Sequence, residues 1–67
     1  MSKLDLSVFF FRGSNLSGVN LNGARLFRAD FTNANLSGAS LDRVMALETG
    51  FFDANLTSAS FIKATLL

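Results

Sequence analysis

The chain has 67 residues with no Cys and no His, and its six Lys plus Arg against five Asp plus Glu leave a formal net charge of +1. At this length one hydrophobic core barely offsets chain entropy, and the missing Cys and His exclude disulfides, the common zinc ligand sets and Ser-His or Cys-His nucleophile pairs. A hydrophobic content of 49% excludes disorder by composition, and a near-neutral charge without a basic stripe excludes nucleic acid as a partner.

Apolar runs such as Val8 to Phe11 reach only four residues, far short of the roughly 20 of a membrane-spanning helix. The opening Met-Ser-Lys-Leu-Asp-Leu-Ser puts Asp5 where a signal peptide keeps its apolar stretch clean. A cytoplasmic protein with no membrane span is expected.

From Leu4 onward the chain repeats every five residues. Leu6, Phe11, Leu16, Leu21, Leu26, Phe31, Leu36, Leu41, Ala46, Phe51, Leu56, Phe61 and Leu66 follow at this interval without a slip, and twelve of these thirteen are Leu or Phe. Two residues before each stands a mostly small residue, as at Val19, Ala24, Ala29, Ala34, Ala39, Ala54, Ala59 and Ala64. Asn, Asp, Ser, Thr, Gly and Arg fill the rest, as in Ala34-Asn35-Leu36-Ser37-Gly38.

A period of five rules out the ordinary elements. On an α-helix each repeat rotates the Leu/Phe position by roughly 140°, which smears it around the circumference. On a continuous strand an odd period sends successive Leu/Phe residues to opposite faces. The chain must therefore turn once per repeat, with a short extended piece pointing its small residue and its Leu/Phe inward, then a corner of Ser-Gly or Asn-Gly type.

These residues resemble the pentapeptide repeat family, whose motif is a small residue, then Asp or Asn, then Leu or Phe, then two variable polar residues. The resemblance runs from Leu4 to Leu66. It implies an all-β fold, a right-handed quadrilateral β-helix of about three coils with four repeats per coil, and one domain over residues 1–67. With twenty residues per coil, Phe11, Phe31 and Phe51 should stack in the interior, and so should Leu16, Leu36 and Leu56. Asn15, Asn35 and Asn55 recur at the same spacing outside, where an amide ladder is expected.

Two sides of such a coil show mainly polar residues. The other two carry Phe27, Leu47 and Leu67 in one line with Met45 beside them, and Phe10 and Phe52 around the corner. A line of exposed apolar residues on a small solenoid is a candidate contact patch, so Phe10, Phe27, Met45, Leu47, Phe52 and Leu67 form the candidate partner-binding set. Within Val44 to Gly50, Ala46 replaces a bulky core residue and Gly50 takes an Asn/Asp slot. A local bulge that re-aims Met45 and Leu47 is one reading, and tolerated drift of the repeat is the other.

No catalytic, metal or cofactor site is expected, because the carboxylates Asp5, Asp30, Asp42, Glu48 and Asp53 are dispersed and no phosphate-cradling Gly motif occurs. A packed Leu/Phe interior also leaves no cavity for a small-molecule substrate. The expected function is a non-catalytic protein-protein interaction or scaffold module, docking through its apolar sides, or self-associating through open end coils. Two alternatives stand beside it. The resemblance implies the first, a DNA-mimicking regulator of a type II topoisomerase, although that role wants an acidic rod. The second is a truncated or designed solenoid without a ligand.

Overall fold

The structure, a computed structural model, describes residues 4–67; the first three residues of the expected 1–67 domain lie outside these. Parallel bridges join residues twenty apart along the chain: Asp5 to Arg25 to Met45, Phe10 to Asp30 to Gly50, Asn15 to Asn35 to Asn55, and Asn20 to Ser40 to Ser60. The longest regular pairing is between β1 (Met45–Ala46) and β2 (Thr65–Leu66), in the same register. Among the described residues there is no helix. The fold is of β-helix type, and each winding of twenty residues has four short sides.

The backbone accounts for this shape one group at a time. In a repeat written small–Asn/Asp–Leu/Phe–fourth–fifth, the N–H of the next small residue donates to the Leu/Phe carbonyl, as Ala39 does to Leu36 at 3.0 Å. That bond closes a tight turn whose third residue is always the fifth position. Among the described residues all twelve with positive φ sit there: Gly13, Gly18, Gly23 and Gly38, and the non-glycines Val8, Arg28, Asn33, Arg43, Glu48, Asp53, Ser58 and Lys63. A left-handed residue at this place is what a type II turn needs. Glycine takes it freely, and other residues do so at a cost of about 1 kcal/mol or more.

Three more N–H groups of each inner repeat go to neighbouring windings. Asn35 donates to Ser14 at 2.9 Å, Leu36 to Asn55 at 2.8 Å and Gly38 to Thr57 at 2.8 Å. The core then follows from the inward third and first positions. Leu26, Phe31, Leu36, Leu41 and Val44 are wholly buried, with Ala24, Ala29, Ala34 and Ala39 between them. The expected Phe column is present: the Phe31 ring lies 5.1 Å from Phe11 and 5.4 Å from Phe51, at 11° and 6° to them.

The stretch from Val44 to Gly50 contains no bulge. Arg25 bridges Met45 and Asp30 bridges Gly50 in the common register, and Val44 and Ala46 are buried. Thr49, standing in a small-residue slot, turns its hydroxyl inward and donates to the Leu26 carbonyl. The break in sequence pattern keeps the twenty-residue register, and the turn bond from Thr49 N–H to the Ala46 carbonyl is missing among the described residues.

Candidate interaction surface

In the inner repeats one N–H, that of the fourth position, finds no acceptor on the backbone. Where the second position is Asn or Asp, its side-chain oxygen takes this bond two residues on. Asp5 accepts from Ser7 at 3.0 Å, Asn15 from Ser17 at 3.2 Å, Asn20 from Asn22 at 3.0 Å, Asp30 from Thr32 at 2.9 Å, Asn35 from Ser37 at 3.0 Å and Asn55 from Thr57 at 3.0 Å. Asn15, Asn35 and Asn55 therefore spend their amide oxygens along their own strand, and among the described residues no hydrogen bond joins one of these amides to another. The amide ladder expected from their spacing is replaced by local Asx turns, because the nearer unpaired N–H is the stronger claim on the oxygen.

In three repeats whose second position is not Asn or Asp, a side chain twenty residues earlier serves instead. Ser7 accepts from Phe27 at 3.2 Å, Asn22 from Asp42 at 2.9 Å and Asp42 from Ile62 at 2.9 Å. Asn22 and Asp42 also take the hydroxyls of Ser40 and Ser60, each at 2.5 Å. The second position of a repeat is thus a cap for a stranded donor, which gives a physical reason for Asn or Asp there.

This rule isolates three places in the candidate set, Leu47, Phe52 and Leu67, the last with Thr65 in the second position and Leu47 twenty residues earlier. Leu47 follows Met45, and the residue twenty earlier is Phe27; Phe52 follows Gly50, and the residue twenty earlier is Thr32. Among the described residues neither Leu47 N–H nor Phe52 N–H finds an acceptor, so both donors and both apolar side chains are offered outward. Sequence reading singled out these side chains as greasy. It missed the uncapped N–H groups; at Leu47 the signal was legible as a second position lacking Asn or Asp above a fourth position lacking an acceptor, whereas at Phe52 the Thr32 hydroxyl twenty residues earlier is turned to Asp30, which only the structure shows.

The six candidate residues do not form one continuous patch. Phe27, Leu47 and Leu67 line up on the side built over Leu6, Leu26, Ala46 and Leu66, with Met45 in the adjacent column. Leu67 is 84% exposed and Met45 41%, whereas Phe27 and Leu47 are half-buried, because neighbours along the column cover part of each. Phe10 and Phe52, 78% and 71% exposed, lie on the adjoining side at opposite corners, with Asp30 and Thr32 between their levels. Phe10 instead joins Arg12 and Asp30 around an open depression of about 400 Å³.

Two ion pairs lie near these residues. Arg12 donates to Asp30 at 2.7 Å on the Phe10 side, and Arg28 to Glu48 at 2.8 Å on the corner beside Phe27 and Leu47. Bonds from the Thr32 hydroxyl, from Arg12 and from the Thr32 N–H pull the Asp30 carboxyl down to about 2. Asp5 is lowered by the Ser7 hydroxyl and N–H, and Asp42 by the Ser60 hydroxyl and Ile62 N–H. Each shift comes from hydrogen bonds that hold the turn, so these carboxylates are occupied structurally.

No curated protein matches the chain. The family model for pentapeptide repeats matches residues 11–44 in 8 copies, and the twenty-residue register continues on both sides of that segment, from Asp5 to Ser60. With just over half its length matched and the repeat built into its backbone, the chain belongs to the pentapeptide repeat family.

Proposed function

We propose that the chain is a non-catalytic interaction or scaffold module of the cytoplasm, a right-handed quadrilateral β-helix of about three coils that docks through the side carrying Phe27, Leu47, Leu67 and Met45. The observation that carries this reading is the coincidence, at Leu47, of an outward apolar column with a backbone donor left without an acceptor. The two sides built on Asn15, Asn35 and Asn55 and on Asn20, Ser40 and Ser60 close their fourth-position donors; this one offers an apolar column and an N–H to a partner. Pairing of Asp30 and Glu48 with arginines speaks against a duplex-mimicking acidic rod.

The test is a Phe27→Ser, Leu47→Ser double variant of the full chain, first matched to the parent by circular dichroism. Self-association is then followed by light scattering, and binding of host proteins by capture on the immobilised chain. Loss of either association supports the reading. If both persist at parental strength, this side is not the docking surface.

A further inference from the structure

The apolar side has a pattern that fits itself when one copy is inverted. In the column order of the fold, Arg25, Phe27 and Arg28 stand at one level and Met45, Leu47 and Glu48 at the next. A twofold axis lying in this face between the two levels, parallel to the short strands, exchanges the levels and keeps the columns. Phe27 then meets Leu47 of the second copy, Arg25 meets Met45, and Arg28 meets Glu48, with every contact repeated in reverse. This is the isologous arrangement of a closed dimer, which cannot propagate into a fibre.

We propose that the partner of this side is a second copy of the chain, packed face to face and antiparallel, with Arg28 and Glu48 of the two copies forming one alternating four-charge network. Within a copy, the Arg28 Nε already donates to Glu48 Oε1 at 2.8 Å. The fork of Arg28 keeps its Nη donors, and Glu48 its second oxygen, for the other copy. A parallel face-to-face pairing loses this exchange, since it sets each charged corner against the opposite edge of the face. The charges therefore select the antiparallel register, and the apolar column supplies the contact area.

Area sets the strength. One side of four is at most a quarter of the 4211 Å² exposed surface, which brackets the roughly 800 Å² per partner of a standard interface. Only part of that area is apolar, since Phe27 and Leu47 are half-buried and Arg25, Arg28 and Glu48 are exposed, so the dimer is a weak one that dissociates on dilution. This inference deepens the reading above by naming the partner, and it rests on the same side.

The experiment is sedimentation velocity on the full chain from micromolar to millimolar concentration, with Arg28→Glu, Glu48→Arg and the double exchange Arg28→Glu/Glu48→Arg. The parent is expected to pass from monomer to dimer. Each single reversal sets like charges across the interface and weakens self-association by roughly ten-fold or more. An equimolar mixture of the two single variants restores a dimer, since each then meets its opposite, and the double exchange dimerises like the parent. Circular dichroism on each variant, with the double exchange as the intact-pair control, separates misfolding from lost contact. A parent monomeric at every concentration overturns the proposal, as does a dimer indifferent to either reversal or a mixture that stays monomeric. If the parent stays monomeric while Phe27→Ser, Leu47→Ser abolishes capture of another protein, the docking side stands and only the second copy falls.

Discussion

Gly50→Asn tests the capping rule where it is broken. Gly50 occupies the second position of its repeat, its φ lies outside the left-handed region, and a Cβ built there comes no closer than 3.5 Å to Asp30 Oδ1, an ordinary contact. An Asn can therefore enter without strain and offer its oxygen to the Phe52 N–H, as Asn55 does to Thr57 at 3.0 Å. One recovered hydrogen bond is worth about 0.5–1.5 kcal/mol, and removing glycine from an extended segment adds about 0.5–1 kcal/mol. The variant should gain about 1–2 kcal/mol, a rise in Tm of roughly 4–8 °C for each kcal/mol in a domain of this size. Urea and thermal unfolding followed by circular dichroism measure it, with Gly50→Ala as the control that carries the backbone part alone. If Asn gains nothing over Ala, the oxygen is not capping the N–H and the account of the Asn/Asp position is wrong.

Other outcomes follow from the same geometry. Removing a cap should do the reverse, so Asn35→Ala leaves the Ser37 N–H unpaired and lowers stability by about 1 kcal/mol in urea unfolding. Phe31→Ala empties the centre of the Phe column, where the ring is wholly buried between Phe11 and Phe51; a cost of about 3–5 kcal/mol is comparable with the whole stability of a domain this small and should unfold it, seen as loss of the circular dichroism signal. Gly38→Ala meets no atom within 4 Å but must hold φ at 68°, so about 1 kcal/mol is lost through torsion alone and shows in the same unfolding assay. The Asp30 carboxyl is depressed in the folded chain, from 3.8 to about 2, so its stabilisation is present above pH 3.8 and lost as the pH falls toward 2. The Tm should drop across that window, and Asp30→Asn should flatten this part of the profile.

What the sequence alone determined is whatever depends on neighbours along the chain. Period five, the inward Leu/Phe and small residues, and the turn in every repeat all follow from alternation and chain geometry, and they hold from Leu6 to Leu66. The candidate apolar residues were legible in the same way, since an outward position is known once the inward ones are. Tertiary structure decided everything that depends on residues a winding away. Pairing at twenty placed Arg12 beside Asp30 and Arg28 beside Glu48, half-buried Phe27 and Leu47 within their column, and parted Phe10 from Phe52. It also carried the register unbroken through Val44 to Gly50, where the sequence left a bulge open. The physical reason is that each winding satisfies only part of its hydrogen bonds within itself. The remaining donors and apolar faces find their partners in the next winding, and whatever no winding covers is left for a partner.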